Sequence, residues 1–414
     1  MGTYIEKLHA KSIAKYQELN IEFGEKFNFI VGANGCGKTT LLKTMALIFN
    51  PGRANSFRYG DDCEIWIDYV NGEVKQRIGL GEGWMRQGTE YRKAQHYSWT
   101  VPCNSDGVDG TYSVNLLEEN KIFLTPLFLG AYRRIEYIEI QGMKKEKGVV
   151  EKRNEYRENA ILGLEGGYLP EIKQWMINRY FEIEKDWAMK YKENWNWIIN
   201  NMKNISPFYE QFEFKEIKKE LEPIFLLNGK ECYLEELSAG FQAVLSLVFG
   251  IVDWIESVNE EESILIENAT GTVIIDELDV HLHPEWQLMI RDALDKIFPK
   301  LQFIITTHSP HLIASAHSGE IIKILSGENI VNLKATNKRY SGWNTDEILE
   351  DVMDVKNLEN KEWNSSISEA MQAIEKGDAK YLKTCIDNME IIVHPNNTIV
   401  NALKIKLAEL LLED

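Results

Sequence analysis

The sequence predicts an α/β fold of the P-loop NTPase type, in which a parallel sheet turns the C-terminal ends of its strands toward a nucleotide. Three segments far apart in the chain predict it: Gly32-Ala33-Asn34-Gly35-Cys36-Gly37-Lys38-Thr39, Thr272-Val273-Ile274-Ile275-Asp276-Glu277, and Gln302-Phe303-Ile304-Ile305 running into Thr306-Thr307-His308. Two of them join an apolar, strand-like run to polar side chains suited to phosphate chemistry, and the first follows such a run. Open α/β sheets place ligands at that edge.

The first segment fits the pattern G-x-x-x-x-G-K-[ST]. It lies between Asn28-Phe29-Ile30-Val31, a run of strand type, and residues 40–48, which read as a helix. Its glycines let backbone N–H groups turn inward around phosphates, and the helix N-terminus adds partial positive charge. The expected nucleotide contacts are Asn34, Gly35, Cys36, Gly37, Lys38, Thr39 and Thr40. Lys38 is placed to neutralise the β and γ phosphates of ATP, and the Thr39 hydroxyl to ligand Mg²⁺. Cys36, at the helix start, reads as a small space-filling residue, with a thiol of lowered pKa as the alternative.

Thr272 to Ile275 is β-branched throughout, as suits a strand buried on both faces of a parallel sheet. Asp276 then emerges at its end, expected to hold Mg²⁺ through water, while Glu277 orients and deprotonates the attacking water. An Asp-Glu pair ending a strand says little alone and gains weight downstream of a phosphate loop. His308, at the end of the third strand, is placed to touch the γ phosphate; taken by itself it reads first as a structural histidine.

A fourth segment, Leu237-Ser238-Ala239-Gly240-Phe241-Gln242, precedes a long apolar helix. With the Asn-Gly of the phosphate loop, the Asp-Glu strand and the Thr-His-Ser-Pro strand, it resembles the ABC-type ATPases of the SMC, RecF and OLD group. The resemblance implies an ABC-type ATPase head with an antiparallel β lobe and the cofactors ATP and Mg²⁺. It implies further that Ser238 and Gly240 of one subunit cap the ATP held by another, so that the active form is a dimer or higher oligomer.

Glu277 is followed by Leu278-Asp279-Val280-His281-Leu282-His283-Pro284-Glu285-Trp286-Gln287, similar to the Leu-His-Pro-x-x-Gln stretch of OLD-like and related defence ATPases. His283 stands where SMC proteins carry an aspartate. Residues 340–349 and the helical region after them look most like the ATPase subunits of Septu and retron-associated anti-phage systems, the PtuA type. Those subunits work with a separately encoded HNH-type nuclease, and that partner is what the resemblance implies here. His281 and His283, with Asp279 and Glu285, also invite a metal reading, but no third spaced ligand accompanies them.

The chain has 414 residues, 44% hydrophobic and 27% charged, within the range of an ordinary globular protein. No run reaches the roughly 18 uninterrupted apolar residues of a membrane span, and no signal peptide is read at the N-terminus. A cytoplasmic location is expected. Cys36, Cys63, Cys103, Cys232 and Cys385 are scattered without C-x-x-C spacing, so reduced thiols are expected. A net charge of −18 argues against a broad surface coating DNA. A local patch remains open, since residues 133–157 carry eight basic side chains against five acidic ones. A solvated loop face and a contact for nucleic acid or an acidic partner are its two readings.

Along the chain, residues 1–139 form the first part of the head. Gly60-Asp61-Asp62 and Asn71-Gly72 are turn signals between strand-like runs, residues 104–110 an exposed loop, and the run from Lys121-Ile122-Phe123-Leu124 to Phe128-Leu129-Gly130-Ala131-Tyr132-Arg133 the return to the core. Gln141 is a weak candidate for a glutamine loop. Residues 140–222 read as a helical insertion. Two arms of some 30 residues would each reach only about 45 Å, too short for an SMC rod. Its aromatics read first as helix-packing core, then as a partner surface or base-stacking platform. Residues 223–335 complete the head and 336–414 form a helical C-terminal region, with Asn344 and Glu347 as a capping pair. No acidic motif there suggests an appended TOPRIM nuclease, which again points to a separate effector.

The function expected is that of an ATP-binding and hydrolysing subunit of an anti-phage complex, regulating a nuclease. A RecF-like repair ATPase binding DNA directly and an ATP-gated scaffold with little turnover are the alternatives. A transporter subunit is disfavoured by the insertion and the His-Pro turn.

Overall fold

The computed structural model of the chain describes residues 2–52, 58–87, 94–113, 124–168, 171–206, 211–325, 327–355 and 361–413. Contacts divide it into two compact units, Met1–Asp354 and Val355–Asp414. The expected return at Lys121-Ile122-Phe123 lies outside the described residues.

The first unit is built on fifteen strands among the described residues. They are β1 (Thr3–Ile13), β2 (Tyr16–Glu22), β3 (Phe27–Val31), β4 (Tyr59–Asn71), β5 (Val74–Gln87), β6 (Ala94–Thr100), β7 (Gly110–Tyr112), β8 (Leu127–Leu129), β9 (Phe212–Ile217), β10 (Pro223–Leu227), β11 (Lys230–Tyr233), β12 (Gly271–Ile275), β13 (Leu301–Thr306), β14 (Ile321–Lys323) and β15 (Ile330–Leu333). Five of them form the predicted sheet in the order β14-β3-β13-β12-β8, every neighbour parallel. Strands β3, β12 and β13 are buried at every position, as their apolar β-branched and aromatic runs require when both faces are covered. Because β13 lies between β3 and β12, the segment carrying His308 leaves the sheet between the phosphate loop and the Asp-Glu turn.

The second sheet, that of the lobe, has the order β15-β2-β1-β4-β5-β6, with β7 on β5; its central pairs are antiparallel as expected, whereas β15 joins β2 and β7 joins β5 in parallel. Helix Lys38–Phe49 lies in the core shared by the two sheets. Leu41, Leu42, Met45 and Ile48 join Leu8, Ile65, Ile67 and Leu80 of the lobe and Ile30, Ile274, Ile304 and Ile322 of the parallel sheet in one buried cluster. Gln302 stitches the sheets together: its amide donates to Ile5 O and Gly24 O (both 2.7 Å) and its carbonyl accepts from Ile5 N (2.9 Å) and Thr272 Oγ1 (2.7 Å).

One local expectation is corrected. Gly60-Asp61-Asp62 opens β4 instead of turning the chain, because its polar groups find partners across β1: Asp62 accepts from Ser12 Oγ (2.6 Å) and pairs with Lys11 (2.8 Å). Asn71-Gly72 does turn the chain, with Gly72 at φ 65°.

After β8 the chain forms helices Val149–Glu158, Ala160–Glu165, Ile172–Glu182 and Met189–Asn201, a run of short elements instead of two long arms, and leaves them through β9. Their aromatics chiefly build core: Trp175 lies 5.9 Å from Trp195 and 5.5 Å from Phe249, and Trp195 meets Phe214 edge-on at 5.2 Å. Trp187 is exposed. Strands β9 to β11 form a small antiparallel sheet leading into helix Ala239–Val258. That helix is long and apolar enough, by length and composition alone, to cross a membrane, yet 89% of the apolar stretch is buried in the protein.

Asn344 and Glu347 form the expected capping box on helix Thr345–Asp351, through bonds of 3.0 and 2.8 Å. The second unit consists of helices Lys361–Glu375, Ala379–Ile392 and Thr398–Glu413 around Ala370, Leu382, Ile386, Met389 and Val400.

Candidate functional site

The phosphate loop leaves β3 and closes on helix Lys38–Phe49. Gly37 caps the helix in the left-handed conformation (φ 98°), and a Cβ there would lie 2.5 Å from Lys15 Cε and 2.6 Å from Tyr16 Oη. Only glycine meets both demands. Asn34 and Gly35 are exposed at the loop crest, while Cys36 is buried with its Sγ 3.9 Å from Lys38 Nζ, consistent with a filler. Thr40 follows on the first turn, its carbonyl accepting from Thr44 Oγ1.

The Lys38 ammonium is buried and donates to Gly32 O (2.8 Å) and Ala33 O (3.1 Å). Burial pushes its pKa down, against the opposing pull of Cys36, Glu277, Asp276 and Asp279.

Asp276 lies at the end of β12. Its Oδ1 accepts from Thr306 Oγ1 at 2.5 Å and from Thr39 Oγ1 at 3.2 Å, joining all three predicted segments at one atom. Thr306 also accepts from Glu277 N (2.8 Å). Glu277 has φ 49°, a left-handed conformation that costs a residue with a Cβ on the order of 1–3 kcal/mol and persists only where neighbours hold it.

His308 is half-buried. Its backbone N–H donates to Asp279 Oδ1 (3.0 Å), which also accepts from Thr307 Oγ1 (2.6 Å). Burial, then the charge of Lys38, lower the imidazole pKa, against the opposing pull of Asp279, Glu277 and Asp276. The Leu-His-Pro-x-x-Gln stretch acquires a physical role. Gln287 Nε2 donates to Leu282 O (2.7 Å) and its Oε1 accepts from Ser309 Oγ (2.6 Å), bracing the Asp-Glu turn against the segment after His308. His283 caps helix Pro284–Ile297, its Nδ1 accepting from Glu285 N at 3.5 Å.

Ser238 is exposed and caps helix Ala239–Val258, its oxygen accepting from Phe241 N. Gly240 is buried: a Cβ would lie 2.6 Å from Trp286 and 3.1 Å from His281 O. Packing within the same chain therefore already demands this glycine. Gln242 ties the signature to the chain after β8, accepting from Ile135 N (3.3 Å) and donating to Leu237 O (2.9 Å).

Two cations escaped the sequence reading. Lys15, in the turn between β1 and β2, donates to Cys36 O, and Tyr16 Oη donates to Gly37 O (3.1 Å); a lone lysine in a hairpin turn carries no spacing signal. Arg133 counted toward a surface patch, yet it is buried and its guanidinium donates to the carbonyls of Gly130, Asp276, Glu277 and Leu278. Part of that patch is engaged internally, whereas Arg134, Lys144, Lys145 and Lys147 are exposed. Arg157 is buried, Arg153 donates to Val258 O, Lys144 pairs with Glu171, and Lys147 and Lys152 pair with Glu155. Gln141 is exposed.

A family model described as an AAA ATPase domain matches residues 167–313. A Septu protein PtuA from Bacillus thuringiensis is 24% identical over 420 residues, covering 98% of each chain. The Retron Ec83 probable ATPase of Escherichia coli is 32% identical over 145 residues, which are 34% of this chain and 26% of that protein. Among solved structures, an Smc head bound to the C-terminal winged-helix domain of ScpA aligns with 82% of this chain and 99% of its own, at 14% identity and a TM-score of 0.47. With a phosphate loop, an Asp-Glu strand and a His strand on one parallel sheet, a match to an ATPase family model and a relative matched over nearly its whole length, the chain is an ATPase.

Proposed function

We propose that the protein is the ATP-hydrolysing subunit of an anti-phage defence complex, dimerising around ATP and regulating a separately encoded HNH-type nuclease. The single observation that carries the catalytic half is the junction at Asp276 Oδ1, where Thr39, Thr306 and the Asp-Glu turn converge. The biological half is supported by similarity to a Septu protein PtuA along 98% of the chain.

In this reading Asn34, Gly35, Cys36, Gly37 and Thr40 surround the phosphates through the loop backbone. Lys38 exchanges its two carbonyl partners for phosphate oxygens. The Thr39 hydroxyl and Asp276 carboxylate, hard oxygen donors 3.2 Å apart, fit Mg²⁺. When bound there, Mg²⁺ neutralises charge on the β and γ phosphates. Glu277 takes the proton of the attacking water, and His308, its backbone held by Asp279, donates a hydrogen bond toward the γ phosphate. Ser238 and Gly240 face the nucleotide of a second copy, and the complex works in the cytoplasm.

The test is purification from the native operon through a tag on this chain, with and without ATP. Recovery of an HNH-type nuclease in a defined assembly is expected. Recovery of the ATPase alone, with turnover stimulated by added DNA, would replace this reading with a repair ATPase.

A further inference from the structure

We propose that Arg133 is a positioning residue for ATP hydrolysis, clamping the backbone that aims Glu277. The inference rests on the reading of Glu277 as the general base. Arg133 lies four residues beyond β8 and is 2% exposed. Nη1 donates to Gly130 O at 2.7 Å and Asp276 O at 3.1 Å, and Nη2 to Glu277 O at 2.7 Å and Leu278 O at 3.3 Å. One planar group thus holds three consecutive carbonyls of the Asp-Glu turn to the loop after β8.

The turn needs such a hold. Glu277 is left-handed at φ 49°, and an ordinary L-residue leaves that region unless its peptide groups are held in place. Thr306 secures the preceding side, accepting from Glu277 N, and its own carbonyl accepts from Leu278 N at 3.1 Å. Arg133 secures the carbonyl side. Burial pushes its pKa down to about 10, which leaves it charged at neutral pH among Asp276, Glu277 and Asp279.

The rival role for a buried arginine beside a phosphate loop is contact with the nucleotide. All four of these hydrogen bonds end on main-chain carbonyls, so the guanidinium is committed to shaping the turn. Lysine cannot replace it, because an ammonium is a point donor and lacks the planar fork that spans several acceptors.

Arg133→Lys and Arg133→Gln test this, with ADP and ATP affinity measured by calorimetry and turnover measured in wild-type and Glu277→Gln backgrounds. Both variants are expected to bind ADP and ATP within threefold of wild type while kcat falls about 100-fold, the size of loss that follows a misplacement of about 1 Å. In the Glu277→Gln background the second change is expected to leave residual turnover within twofold, since both act through one group. A tenfold loss of ATP affinity in step with kcat would assign Arg133 to the phosphates and overturn the proposal. So would a further large loss on top of Glu277→Gln. Failure of both variants to bind ADP would assign the arginine to folding. If Glu277→Gln alone turns over at the wild-type rate, the base reading fails and the positioning role with it. If that variant is inactive and Arg133→Lys is not slowed, the positioning role alone fails.

Discussion

Thr39 and Asp276, 237 residues apart in the chain, meet with Oγ1 3.2 Å from Oδ1. The start of one helix and the end of one strand are thereby brought to a single point, and Lys38 is held beside it. Lys38→Ala is expected to weaken ATP binding at least about 100-fold, a loss of about 2.7 kcal/mol. Calorimetry with ATP and ADP checks this, and retained tight binding would contradict the loop assignment.

Glu277→Gln keeps the shape of the turn and removes the base. Turnover is expected to fall by about 10²–10⁴, while ATP is retained and the protein shifts to a dimer or larger assembly in light scattering. Wild-type turnover would remove Glu277 from the mechanism.

Ser238 is exposed at a helix start, and its capping bond is long at 3.5 Å, so replacing it costs little stability, about 0.5 kcal/mol. Ser238→Arg is therefore expected to leave the circular dichroism spectrum unchanged and to reduce ATPase activity at least about tenfold by blocking a composite site. Unchanged ATPase activity would argue against capping between subunits.

Gln287→Leu leaves the Leu282 carbonyl and the Ser309 hydroxyl without their partner. A stability loss of about 1–3 kcal/mol is expected in urea unfolding, with kcat lowered more than ATP affinity because the His308 segment is no longer braced. A variant as stable and active as the parent would show that the Leu-His-Pro-x-x-Gln stretch serves another purpose.

Asp253, half-buried on helix Ala239–Val258, has its pKa pushed up to about 6 by loss of solvation, despite Lys152 nearby and a hydrogen bond donated by Tyr156 Oη (3.1 Å). The folded chain holds this proton more tightly than the unfolded chain. Stability therefore falls as pH rises through the window from about 4 to about 6. Asp253→Asn removes that slope and is expected to gain on the parent across the window, by up to about 3 kcal/mol at pH 7. Urea unfolding at pH 4, 5, 6 and 7 measures the difference, and parallel pH courses in the two proteins would refute it.

The strands leading to Lys38, Asp276 and His308 were legible in the sequence because each couples a run of buried β-branched or aromatic residues to side chains whose chemistry is local to the motif. Arg133 was not, because a guanidinium that serves distant carbonyls looks, in one dimension, like any other charge in a basic segment. Gly60-Asp61-Asp62 misled for a related reason: turn-forming residues enter a strand when a neighbour such as Lys11 or Ser12 satisfies their polar groups. The glycine at 240 was recognised from family pattern, whereas its approach to Trp286 is visible only once the chain is folded.

Helix Ala239–Val258 carries Ser238 at one end. Near the other, Glu256 accepts from Arg179 (2.6 Å), Trp175 (2.8 Å) and Asn194 (3.0 Å) of the inserted helices. At 1.5 Å per residue this rod is about 30 Å long, and its burial leaves it little room to bend. The insertion and the signature loop are thus mounted on one lever. Arg179 of the insertion and Ser238 of the signature loop are thereby tied to opposite ends of the same helix.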